Sequence, residues 1–173
     1  IAKKLSKESI SVAIFYKSST ISAREVVKQC HENNVDAIAI KTDVTKKKQC
    51  EISVREVVKK LGNINILINN AGTTKHVQFN DFDGLSEEDF IHIYKTNAIS
   101  AYMMSRAVLN SMKKNKKGSI VNISSIAALG LGSSIAYSMS KGAMNSLSKA
   151  LSRTLAPNIT VNPISPGYIK TGW

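Results

Sequence analysis

Tyr137 and Lys141 stand four residues apart in the run Ala136-Tyr137-Ser138-Met139-Ser140-Lys141-Gly142-Ala143, a segment that reads as helix. Residues at i and i+4 share one helical face, so the two side chains can meet at a single small molecule. A free phenol titrates at about 10 and is a poor proton shuttle near neutrality. An ammonium beside it favours the phenolate and lowers that value, the tuning a general acid/base needs. The spacing alone also describes an amphipathic tyrosine beside a solvated lysine. The elements around the pair must decide.

Those elements alternate. Residues 1–8 read as the end of a helix, and 10–16 as a short apolar strand closed by the polar turn Lys17-Ser18-Ser19. Thr20 or Ser22 is placed to cap a helix running to about Asn34, with Ala23, Val26, Val27 and Cys30 as its stripe. A second strand spans 35–40. A helix over about 48–61 follows, with Ile52, Val54, Val57, Val58 and Leu61 apolar and Gly62 as its stop. The third strand, 64–68, runs into Asn69-Asn70-Ala71-Gly72. After a polar connection, Ser86-Glu87-Glu88-Asp89 opens a long helix to about Lys114, with an irregularity expected near Asn97. Gly118 should stop it. A fourth strand over 119–123 leads to Ser124-Ser125 and a Gly/Ser loop; the helix bearing Tyr137 spans about 135–155. A last strand covers 159–162, where Pro163 and Pro166-Gly167 forbid continuation.

Strand and helix in alternation imply a doubly wound α/β fold: a parallel sheet with right-handed crossovers and helices on both faces, in one domain over 1–173. Ligands of such sheets sit at the carboxyl ends of the strands. Each unusual polar cluster here follows a strand, so these residues should converge on one rim.

Composition narrows the function. No apolar run is long enough to span a membrane. His31, His76 and His92 show no ligand spacing, so no metal site is expected. Cys30 and Cys50 read as reduced thiols of a cytoplasmic protein. The net charge of +12 could serve nucleic acid, but the lysines are scattered and no aromatics interleave with them. A nucleic-acid partner is not expected.

Taken together, Asn69-Asn70-Ala71-Gly72, Ser125, Tyr137-x-x-x-Lys141 and Pro166-Gly167 resemble the short-chain dehydrogenase/reductase family, and its 3-oxoacyl-carrier-protein reductase-like members in particular. The resemblance runs over essentially the whole chain and implies a Rossmann-like three-layer fold. It implies hydride transfer between a nicotinamide and a carbonyl or alcohol carbon. Tyr137 would exchange the proton on the substrate oxygen. Lys141 would lower the tyrosine pKa and bind the nicotinamide ribose. Ser125 would polarise the carbonyl, and Asn97 would hold a water linking Lys141 to solvent. Ser125 is preferred to Ser124 because Ile126-Ala127-Ala128 resembles the family's run after its serine; the other serine would bond backbone at the strand end.

For the cofactor, the resemblance assigns Asn70, Ala71 and Gly72 to the adenosine ribose and phosphates, Asp43 to the adenine amine and Val44 to its ring. Pro166, Gly167, Ile169 and Thr171 would lie along the nicotinamide. Tyr16-Lys17-Ser18 ends the first strand without an acid, which implies a preference for NADP(H), with NAD(H) possible. The substrate would be a small-molecule or carrier-protein-bound carbonyl. Helices near 86–114 and 135–155 resemble the family's interface and imply a homo-oligomer.

The family's first strand and Gly-rich phosphate turn find no match, since the first glycine is Gly62. The sequence also stops at Trp173, before the family's substrate-covering helices. A fragment incomplete at both ends is expected, with poor cofactor binding by this polypeptide and exposed apolar edges beside a missing central strand. The alternative is a catalytically silent, shortened paralogue acting through its helix faces.

Overall fold

The computed structural model describes residues 1–170; the expected nicotinamide contact at Thr171 lies outside the described residues. The chain forms two compact units, dividing after Asn63.

In the first unit, α1 (Ala2–Lys7), β1 (Val12–Tyr16), α2 (Thr20–His31), β2 (Ala37–Lys41) and α3 (Lys47–Leu61) follow one another. β1 and β2 pair in parallel from Val12 opposite Ala37 to Tyr16 opposite Lys41. Their core is Val12, Cys30 and Ala37, packed with Leu5, Ile14, Val26, Val27 and Val35. The α2 cap is Ser19, not Thr20 or Ser22, and it makes no side-chain capping bond. α3 ends where Gly62 takes φ 81°, a backbone region open to glycine at no steric cost. Its buried face differs from the expected stripe. Cys50, Ser53, Val54 and Val57 turn inward, while Ile52 and Val58 are exposed. The Ser53 hydroxyl is buried because it bonds the Thr42 hydroxyl at 2.7 Å, which removes the penalty an unpaired hydroxyl would carry.

The second unit holds β3 (Ile66–Asn69), α4 (Glu87–Tyr94), a π-helical turn (Lys95–Ile99), α5 (Ser100–Lys114), β4 (Gly118–Ile123), a short 3-10 turn (Ile126–Leu129), α6 (Ile135–Leu155) and β5 (Ile159–Ile164). The sheet runs β3-β4-β5, all parallel, with Asn69 opposite Asn122 and Ile123 opposite Ile164. All three carboxyl ends therefore share one rim. Ser86 opens α4 with a complete capping box to Asp89, as its sequence requires. The irregularity expected near Asn97 is the π-helical turn.

Two expectations are corrected. Gly118 does not stop α5, which ends at Lys114; it begins β4, where an added Cβ would stand 2.7 Å from Met112 Sδ. Pro163 does not end β5 but lies inside it, opposite Asn122. β5 has only β4 as neighbour among the described strands, and an edge strand tolerates a residue with no N–H to give.

One face of this sheet is covered by α5 and α6. Ile120, Ile159 and Val161 are buried there with Met104, Val108, Met112 and Met144. Between them lies a polar string. Asn69 Nδ2 donates to Asn122 Oδ1 at 2.8 Å and to Ser105 Oγ on α5 at 3.3 Å, and Asn122 Nδ2 donates to Ser148 Oγ on α6 at 2.8 Å. Ile66, on β3, is 40% exposed.

Candidate active site

The site of the second unit is built where β3 and β4 end. Asn97 sits in the π-helical turn, fully buried. Its Oδ1 accepts from Thr73 N at 2.7 Å, and its Nδ2 donates to Thr73 O at 2.9 Å and to Ser140 Oγ at 2.8 Å. The amide thus clasps the segment after Gly72 on one side and α6 on the other. Both amide hydrogens are spent on protein, so a water at this position would need another group, not the Asn97 amide N–H. Gly72 lies against the clasp: a Cβ there would come 3.3 Å from Asn97 Oδ1.

Ser134 caps α6, accepting from Tyr137 N at 3.3 Å. Tyr137 consequently lies in the first turn and Lys141 in the next, on the same face, both almost fully buried. The two serines after β4 separate clearly. Ser124 is buried and donates to Lys141 O at 3.1 Å. Ser125 accepts from Ala127 N at 3.1 Å and hydrogen-bonds the Tyr137 phenol. Ser125 is thus the serine in contact with the tyrosine.

The electrostatics depart from the expectation drawn from spacing. Burial pushes the Tyr137 phenol above its ordinary value, and the bond to Ser125 pulls it part of the way back. The Lys141 ammonium stands 5.5 Å from the ring centroid and donates to Ile123 O at 2.7 Å. Burial draws that ammonium down to about 8. In the chain by itself, desolvation of the phenol outweighs the nearby cation.

Of the other expected residues in this unit, Asn70 and Ala71 are exposed just beyond β3. Pro166 accepts from Ile126 N at 3.1 Å, which ties the β5 exit to the Ser125 turn. Gly167 and Ile169 are exposed. The residues fit a hydroxyl-bearing ligand: the ammonium has three N–H donors and gives one to Ile123, beside a phenol and a serine hydroxyl.

In the first unit, Tyr16, Lys17, Ser18, Asp43 and Val44 lie at the carboxyl ends of β1 and β2. Thr42 N donates to Tyr16 O at 2.7 Å, and Lys17 Nζ pairs with Asp43 Oδ2 at 3.3 Å. Asp43 Oδ1 accepts from Thr45 N and Thr45 Oγ1, and these bonds hold the carboxyl below its ordinary value. Lys17 and Ser18 are exposed, and the Val44 carbonyl accepts from the Cys50 thiol. Lys17 and Asp43, expected to serve different parts of a nucleotide, bond each other.

Sequence reasoning did not single out Ser140, Thr73 or Ser134. Ser134 was findable, being a serine directly before a helix. Ser140 carries no such signal, because only the fold brings α6 against the π-helical turn. Among the described residues no cluster of His, Cys, Asp or Glu could hold a metal ion, and no helix is long and apolar enough to cross a membrane.

The short chain dehydrogenase family model matches residues 1–173, and the chain belongs to that family. Its members are NAD(P)-dependent oxidoreductases acting on alcohol and carbonyl groups. Among solved structures, a short-chain dehydrogenase/reductase from Burkholderia xenovorans is 35% identical, with a TM-score of 0.93 over 99% of this chain and 72% of that one. An NAD+-bound xylitol dehydrogenase gives 31% identity and a TM-score of 0.91 over 99% and 65%. The fold is the Rossmann-like α/β class of these structures. A 3-oxoacyl-[acyl-carrier-protein] reductase of Staphylococcus epidermidis is 32% identical over 98% of this chain and 69% of its own length. The 5-keto-D-gluconate 5-reductase of Escherichia coli is 33% identical over 86% and 58%. The chain therefore spans 58% to 69% of the length of these two enzymes.

Proposed function

We propose that the gene product reduces a carbonyl, a 3-oxoacyl thioester or similar ketone, to an alcohol, with NADP(H) as the preferred nicotinamide. The observation that carries this reading is the Ser125–Tyr137 hydrogen bond beside the buried Lys141 ammonium. When bound, the reduced nicotinamide supplies a hydride to the carbonyl carbon. Tyr137 gives the proton to the carbonyl oxygen, so the hydride, with its two electrons, and one proton together convert the carbonyl to an alcohol. Ser125 holds that oxygen against the phenol. Lys141 would have two N–H donors left for ribose hydroxyls.

The preference for NADP(H) is supported by Lys17 and by the lack of an acid at the end of β1. Residues 1–173 are read as one domain because a single family model runs through both units. A homo-oligomer through the faces of α4, α5 and α6 is supported by exposed Ile91 and Tyr94 on α4, Tyr102 on α5 and Met139 on α6.

The test is Tyr137→Phe in the gene product as its own cell makes it. Ketone-dependent oxidation of NADPH should vanish while nucleotide binding stays within a few-fold of the parent. Unchanged turnover in the variant would sink the assignment.

A further inference from the structure

We propose that Thr74 and Ser133 are positioning residues: their joined hydroxyls hold the first turn of α6 so that the Tyr137 phenol stays against Ser125. This rests on the reading that Tyr137 exchanges the proton on the substrate oxygen.

Tyr137 is the third residue of α6. The backbone N–H groups of a first turn have no partner inside the helix, and helix ends fray. A phenol that must reach one chosen atom is badly placed on such a turn unless something outside the helix fixes it.

Ser133 lies between the two loop residues that meet the tyrosine. On one side Gly132 lies beside the ring: with φ 111°, an added Cβ would stand 3.5 Å from Tyr137 Cδ1. On the other side Ser134 Oγ accepts from Tyr137 N at 3.3 Å. Ser133 itself is fastened twice to the segment that leaves β3. Its carbonyl accepts from Val77 N at 2.9 Å, and its hydroxyl bonds the Thr74 hydroxyl.

The same segment reaches the tyrosine by a second route. Thr73 is clasped by the Asn97 amide, which also donates to Ser140 Oγ, and Ser140 Oγ donates to Tyr137 O at 2.7 Å. Residues 73–77 therefore hold the Tyr137 N–H through Ser133 and Ser134, and its carbonyl through Asn97 and Ser140. The Thr74–Ser133 bond is made by two half-buried loop side chains, so it can be removed without touching the backbone or α6. Without it the turn loosens and the phenol drifts from Ser125. A misplacement of about 1 Å can cost about a hundredfold in rate.

Thr74→Val removes one hydroxyl at nearly constant shape, Ser133→Ala removes the other, and Thr74→Ser keeps the bond. The test is titration of the phenol in the protein without nucleotide, read by near-ultraviolet absorbance against the matching Tyr137→Phe protein. The Ser125 bond pulls the phenol down. Thr74→Val and Ser133→Ala should therefore each raise its titration by about half a unit or more. The double variant Thr74→Val/Ser133→Ala should go no further, because both changes break one bond. Thr74→Ser should titrate as the parent does. With NADPH and a ketone, kcat of Thr74→Val should fall about tenfold while KM stays within about twofold. An unchanged phenol titration in both single variants, or as large a rise in Thr74→Ser as in Thr74→Val, would overturn the proposal whatever the change in stability. A parent that reduces no ketone would instead sink the reductase reading, and the titration would still decide the positioning.

Discussion

At the scale of single residues, the pair that first drew notice is less simple than its spacing. Lys141 keeps an ordinary value near 10.5 when unfolded and about 8 when folded. Between those values the unfolded chain holds a proton that the folded chain has released, so stability from this group rises with pH. Below about 8 the full cost of a buried cation is present, on the order of 3 kcal/mol before its bond to Ile123 is counted. Lys141→Met should therefore be at least as stable as the parent at neutral pH, and its advantage should shrink as pH rises past 8. Urea denaturation of both proteins at neutral and alkaline pH checks this. A variant that is markedly less stable at neutrality would show that the ammonium helps to hold the fold. A tyrosine-lysine spacing is legible in sequence; whether desolvation or the cation governs the phenol is not, because that depends on how deeply the fold buries both.

At the scale of elements, α6 is held by side chains that belong to other elements. Asn97→Ala would leave Thr73 N without its acceptor and Thr73 O and Ser140 Oγ without their donor. Unanswered buried groups cost about 1–3 kcal/mol each, so thermal unfolding should show a loss of roughly 2–4 kcal/mol. Gly132→Ala should also destabilise, because it places a Cβ at φ 111° and 2.8 Å from Ala127 Cβ. Calorimetry reads both changes. The bounds of α6 and the Ser86 cap were legible, since apolar spacing and capping chemistry are local. Gly118 and Pro163 were misread for the same reason. Each has a local meaning, helix stop or strand stop, that the sheet overrides by giving Gly118 a close neighbour in Met112 and Pro163 an edge to sit on. Ser140 escaped notice because its partner lies forty-three positions away.

At the scale of the molecule, the sheet of the second unit fixes where protection should be greatest. β4 is paired on both sides, and Ile120 and Asn122 within it are fully buried. Amides of β4 should exchange with deuterium more slowly than those of β1, which pairs with β2 alone among the described strands. Mass spectrometry of exchanged peptides reads this directly, and faster exchange in β4 would contradict it. The alternation of strand and helix made the layered class legible. It did not reveal the polar string of Asn69, Asn122 and Ser148, because the partners of a strand asparagine are set only once the strands and helices pack together.

That string has a consequence for how the chain finds its fold. Apolar strands such as Ile66–Asn69 and Gly118–Ile123 would bury oil as well in several alignments. Sliding β3 by one residue would turn Asn69 to the other face, and sliding it by two towards the start of β4 would set its amide against Ile120. Either mistake strands an amide in a dry interior, and only the true alignment answers it. The two asparagines therefore act as a checksum on assembly, rejecting wrong pairings before a nucleotide or a substrate arrives.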